Sequence, residues 1–230
     1  MSIEIKHSFP IKSRENIQFA SICALAVAGV LDISTGKSLS MTENSPAALV
    51  LFLRALDVYV SPFTLVCFVF GVILWLRRSK QFFYMFDIML VLALLALLNN
   101  LAGLIVSIFD PKVKAGFLLL SACLVYLENI AVFVGYYWRF DHKFQERISA
   151  GEIIHPAVMF PQNTIETQSM KGWRPGFMDY LFLSFNTAST FGPTLPVPLS
   201  APIQSGMMMQ VSIAMTVLIM IAARAIGLIA

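Results

Sequence analysis

The hydrophobic positions of this chain gather into long uninterrupted runs, and its polar positions crowd into the short stretches between them. Runs at residues 17–33, 47–76, 82–109, 114–138 and 204–229 approach or exceed the roughly 20 apolar residues that a helix needs to cross a bilayer. They predict five membrane-crossing helices. A sixth run, residues 177–191, is only about 15 residues long, roughly 22 Å as a helix against a hydrocarbon core of about 30 Å. It reads as a short sixth crossing or as a pore-helix-like segment. The expected class is an all-α integral membrane protein, with about five transmembrane helices plus that short segment.

The interruptions have physical causes. Ser45 and Pro46 open the second run, Arg77, Arg78 and Lys80 close it, and Asp110 with Pro111 ends the third. Within the second run, Arg54 and Asp57 are followed by Ser61 and Pro62, so this stretch reads as one long helix or as an interfacial helix joined to a crossing one. Three regions follow: a scaffold of about four helices at 1–138, an extramembrane loop at 139–175, and a helix pair at 176–230. No repeat or low-complexity tract is visible.

Composition agrees with this pattern. Hydrophobic residues make up 58% of the 230 and charged residues 13%, about half the charged share of a soluble domain. A formal charge of +3 is too small to point to nucleic acid, and the basic residues sit at the ends of apolar runs. Cys23, Cys67 and Cys123 stand singly in apolar surroundings, so they read as packing residues rather than as a disulfide framework or a metal site. Lys6, Lys12 and Arg14 precede a short apolar run ending Ala26, Val27, Ala28, which has the form of a signal-peptidase site. Because Glu4 and Glu15 lie in a long leading segment, a retained first helix is expected instead.

Lysine and arginine set the expected orientation. The leading segment, the turn at Arg77, Arg78 and Lys80, and the loop with Arg139, Lys143, Arg147, Lys171 and Arg174 carry the excess and should face the cytoplasm. Lys37 stands alone in one intervening connection, and Lys112 with Lys114 in another. If residues 177–191 cross completely, six crossings leave both termini on the cytoplasmic side of a cell (inner) membrane.

Ionisable residues inside crossings cost several kcal/mol unless paired or hydrated, so each is a candidate site. Glu128, beside Asn129, could bind a cation, relay a proton, or pair with Arg224 or Arg54. Arg54 and Asp57, three apart on a helix, can neutralise each other. Asn99 and Asn100 read as glue between helices, and Arg224 is placed to snorkel to headgroups. Enzymatic material is thin. His142 with Glu146, and Glu152 with His155, have metal-compatible spacing, but no zinc-protease motif, nucleophile elbow or phosphate loop is present. No enzyme activity, cofactor or metal is expected.

The most informative stretch is 179–198, where an apolar helical segment runs into Asn186, Thr187, Ala188, Ser189 and Thr190, then Phe191, Gly192, Pro193, Thr194, Leu195 and Pro196. Two prolines prevent a helix from continuing, and irregular backbone at membrane depth survives only inside protein or beside water. The spacing of Thr187, Thr190 and Gly192 resembles a potassium-channel pore loop, with Pro193 and Thr194 standing where that family carries tyrosine and a second glycine. The block 173–230 is also similar to a group of bacterial membrane proteins sometimes labelled ion-channel-like. Trp173, Arg174, Pro175, Asp179, Tyr180, Ser184, Phe185, Thr194, Pro198, Gln210 and the run Ala222, Ala223, Arg224, Ala225 carry that similarity.

The resemblance implies a pore helix, an irregular filter and an inner helix, repeated around one path in a homo-oligomer, a tetramer if it is a pore. Thr187, Ser189, Thr190, Gly192 and Thr194 would face the path, and Glu128 would tune the occupancy of a monovalent cation. The alternative is a non-conducting scaffold or partner-binding subunit in the lipid bilayer, whose small and hydroxylated residues only allow close helix packing.

Overall fold

The computed structural model describes residues 11–39, 47–109, 113–152, 155–165, 173–189 and 195–229. Six α-helices occur among them: α1 (Ile11–Leu39), α2 (Ala47–Leu76), α3 (Phe82–Ile108), α4 (Ala115–Ser149), α5 (Phe177–Ser189) and α6 (Ala201–Ile229). Two two-residue strands, β1 (Val158–Met159) and β2 (Val197–Pro198), form an antiparallel ribbon, with Val158 opposite Pro198. The protein is all-α in class. Four helices are long and apolar enough to cross a membrane, at Ile17–Thr35, Phe82–Ile108, Ala115–Ile148 and Ala201–Arg224, which makes it a multi-pass membrane protein.

The helix boundaries follow the sequence signals in most places. α2 is continuous through Pro62, and its apolar half, Pro62–Leu76, is shorter than a full crossing. Its end at the Arg77–Arg78 turn is a Schellman closure: the Ser79 N–H donates to the Leu74 carbonyl and the Arg78 N–H to the Trp75 carbonyl, with Arg78 at φ 51°. α4 closes in the same way, its Glu152 N–H donating to Arg147 and its Gly151 N–H to Ile148, with Gly151 at φ 75°.

One boundary differs from expectation. α4 does not stop near Trp138, where its apolar run ends; it continues to Ser149 into the segment expected to be loop. The added turns hold because their polar residues have tertiary partners. Arg139 forms a two-pronged ion pair with Asp87 of α3, at 2.7 and 2.8 Å, with its guanidinium over the Phe83 ring. Asp141 is fully buried among partners described below.

α4 is the central helix. From Glu128 to Arg139 nearly every residue is buried, because α1, α3, α5 and α6 all pack against it. α2 lies outside, against α3 and α1. Its outward side chains, such as Val58, Phe63 and Val66, are exposed and apolar, as lipid contact requires. Of the cysteines, Cys67 is buried as expected of a packing residue, whereas Cys23 and Cys123 face outward, where a small apolar side chain is equally at home.

Contacts along α4 fix the direction of every neighbour. Leu25 packs at Gly135 while Asp32 lies near Glu128, so α1 is antiparallel to α4; Phe86 meets Trp138 while Asn100 meets Glu128, so α3 is too. Tyr136 donates to the Pro202 carbonyl near the start of α6, and Arg224 reaches the Val113 carbonyl before the start of α4. α6 therefore begins at the end of the bundle where α4 finishes and ends where α4 starts.

α5 begins at that same finishing end, where Tyr180 bonds Asp141, passes the Ile130 carbonyl at Ser184, and reaches mid-depth, where Ala188 packs against Ala214 in the middle of α6. Its 13 residues span about 20 Å. The described chain resumes at Leu195, and β2 is already back beside β1, with the Leu199 N–H donating to the Ala157 carbonyl at 2.9 Å. The start of α5 and residues 195–199 thus lie at one end of the bundle. Of the two readings open for this run, the pore-helix-like one fits and the sixth crossing does not: α5 ends at Ser189 short of the far end, and the start of α1 and the end of α6 lie at opposite ends.

Candidate functional site

Consecutive residues on α4 open two polar sites, because neighbouring side chains on a helix diverge by about 100°. Glu128 points toward α1 and α3. Asn129 points toward α6.

On the first side, the Asn100 amide nitrogen donates to Glu128 Oε2 at 2.9 Å and to Asp32 Oδ1 at 2.9 Å. All three side chains are buried, and Glu128 is 1% exposed. Two acids from α1 and α4 thus share one amide from α3. Glu128 has no basic partner among the described residues, and Arg224, one of its expected partners, lies at Val113, about 22 Å away along α4. The side chains of Arg54 and Asp57, like residues 190–194, lie outside the described residues. A cavity of about 160 Å³ adjoins the two acids, lined by Gly29, Thr64, Phe68 and Ala96 among others. It opens past Val30 and Leu65, both exposed.

Asp32 did not stand out in the sequence because it lies at the end of the first apolar run, where an acid is ordinary. The signal that could have found it is pairing: an acid one or two residues inside a run, in a chain with a second acid and an Asn-Asn pair mid-run. Asn100 bonds across helices as expected of glue, while Asn99 Oδ1 is buried without a partner.

On the second side the groups are neutral. Gln210 of α6, fully buried, accepts from the Tyr137 hydroxyl at 2.6 Å through Oε1 and donates through Nε2 to Ser184 Oγ at 2.8 Å and the Ser184 carbonyl at 3.0 Å. Ser184 donates onward to Ile130, and Asn129 donates to the Gln210 carbonyl at 3.3 Å. This network seats α5 between α4 and α6. Of the filter-like residues, Thr187 is fully buried beside Tyr137 and donates to the Leu183 carbonyl at 2.8 Å, and Ser189 donates to the Phe185 carbonyl. Thr190, Gly192 and Thr194 lie outside the described residues.

At the loop end, Asp141 accepts from the Tyr180 hydroxyl at 2.8 Å, Gln145 at 3.2 Å and the backbone N–H groups of Ala157 and Val158. One carboxylate so ties together α4, α5 and the ribbon. His142 stands 3.7 Å from Glu146, and Glu152 pairs with Arg147 instead of converging on them. No group of three or more metal-capable side chains occurs among the described residues.

The chain matches no protein-family model, no curated protein and no solved structure.

Proposed function

We propose that this chain is a channel-like membrane protein that passes monovalent cations through a homo-oligomeric pore, with α4, α5 and α6 as the permeation unit. The observation that carries this reading is the placement of α5 and β2: α5, described to Ser189, reaches mid-depth beside Ala214, and at Val197 the chain stands again at the end where α5 begins. Such a placement ends a helix dipole inside the membrane, an arrangement tolerated where protein or water surrounds it. The outward faces of α5 and α6 support an oligomer. Phe182 and Phe185 on α5, and Met208 and Ser212 on α6, are exposed in the single chain and would meet a neighbouring copy. One such unit per chain calls for several copies around one axis, a tetramer by analogy with pore-loop channels.

The distribution of lysine and arginine supports a cytoplasmic side for the α4–α5 connection and the start of α1 in a bacterial inner membrane, and the re-entrant segment would then open from that side. The decisive experiment is cation flux into liposomes carrying purified protein, with Thr190→Val at matched reconstitution. Flux above empty vesicles that changes with Thr190→Val is expected. Absence of flux across ions, pH and imposed voltage would replace the channel by a non-conducting scaffold.

A second reading attaches to the acids on the other side of α4. Two carboxylates on one amide repel when both are ionised, and a proton or a monovalent cation between them removes that cost. Glu128 and Asp32 would then load a cation from the adjoining cavity.

A further inference from the structure

At the end of the bundle opposite the loop, a groove of about 150 Å³ runs between α3, α4 and α6, lined by Leu104, Ile108, Gly116, Leu119, Ala122 and Met220. Its one charged wall residue is Arg224. The Arg224 Nη2 reaches the Val113 carbonyl at a long 3.4 Å, and its Nε is buried with no hydrogen-bond partner. No carboxylate pairs with it among the described residues. Lys114, at the N-cap of α4 beside the groove, is exposed and likewise has no ion pair there.

We propose that this groove binds an anionic phospholipid, with an acyl chain along the apolar walls and the headgroup phosphate on Arg224. The chemistry fits at both ends of such a molecule. The stretch of α4 from Ala115 to Ala122 offers about 10 Å of apolar wall that a hydrocarbon chain fills without desolvating any polar group. An unsatisfied guanidinium N–H is costly, and a phosphate satisfies it with paired, charge-assisted hydrogen bonds that a neutral side chain does not match. The cation lies at the helix ends, at the level of headgroups, where lipid phosphate is present and a soluble anion would face the apolar groove alone. Among the described residues the rim carries two cations, Arg224 and Lys114, and no acid, which favours a net-negative headgroup over a zwitterionic one.

The test is a titration of delipidated full-length protein in detergent with phosphatidylglycerol and with phosphatidylcholine of the same chains, read by native mass spectrometry. The parent is expected to prefer phosphatidylglycerol, and Arg224→Gln to lower that preference about fivefold, the usual effect of one basic group near an anionic lipid. Gly116→Leu fills the groove from a position where an added Cβ meets nothing within 4 Å, so it should fold normally and weaken both lipids. No preference in the parent, or a preference unchanged in Arg224→Gln, overturns the proposal. So does displacement of phosphatidylglycerol by inorganic phosphate together with unchanged binding in Gly116→Leu, which would assign the site to a free anion. Thermal melts of each variant separate lost binding from lost folding.

Discussion

Glu128 and Asn129 are adjacent in the chain, equally buried, and engaged in opposite kinds of site. Asn129 joins a neutral network in which Gln210, Tyr137 and Ser184 exchange hydrogen bonds until α5 is locked between α4 and α6. Glu128 joins a charged one, in which a single amide serves two acids beside a cavity. The first arrangement is nearly closed, with the buried Asn129 Oδ1 left without a partner, and behaves as structure. The second sets two carboxyls on one amide, so that ionising both would bring like charges together in a medium that magnifies their repulsion.

Substitutions on the neutral side should therefore cost stability, and those on the acidic side should alter cation response. The largest loss is expected for Gln210→Leu, which strands the Tyr137 hydroxyl and removes both bonds to Ser184; about 3 kcal/mol should disappear from stability in detergent. A loss under about 0.5 kcal/mol would mean that the network does not seat α5. Gly206→Val attacks the same side through shape alone, since a Cβ there would run into the Tyr136 ring, a rigid aromatic; about 2 kcal/mol is expected by thermal melting. Gly29→Ala, on the cavity wall with open space around it, should shift the melt by less than about 0.5 kcal/mol and so calibrates the acidic side.

For Glu128→Gln the comparison predicts a gain or no change in stability, up to about 1 kcal/mol, because a carboxylate is removed while the residue retains its size and its acceptor for Asn100. Its signature is in the salt titration. Stabilisation of the parent by sodium or potassium should vanish in the variant, and a parent that ignores both cations would reduce the acid pair to glue. A modest gain is expected at the α2–α3 turn, where Arg78 holds a left-handed conformation that glycine adopts without strain; Arg78→Gly should raise stability by about 0.5 to 1 kcal/mol in the same melts.

The class of the fold was legible because bilayer thickness leaves few options to uninterrupted apolar runs. Four of the five expected crossings and the turn at Arg77–Arg78 fall where length and charge put them. The continuation of α4 was not, since Arg139 and Asp141 look like loop residues until Asp87, Tyr180 and the backbone of Ala157 are seen to satisfy them. The fate of α5 was undecidable from its length, which suits a thin crossing or a half-depth helix. What decides it is pairing over long separations, Tyr180 with Asp141 and Leu199 with Ala157, and nothing local encodes such pairs. Glu128 stood out as an intramembrane acid, but its meaning depends on Asp32, 96 positions earlier, whose burial only packing reveals.

The Asp141 junction and the β1–β2 ribbon bear on how the chain could be divided. Both lie on the two sides of the stretch between Ile165 and Trp173, and α4 grips α5 and α6 through them and through Gln210. A backbone cut there severs one peptide bond while leaving every one of those attachments in place. The two pieces, co-expressed as separate polypeptides, should find each other in the membrane and copurify, so the seam doubles as a natural point for splitting the protein or grafting a reporter into it.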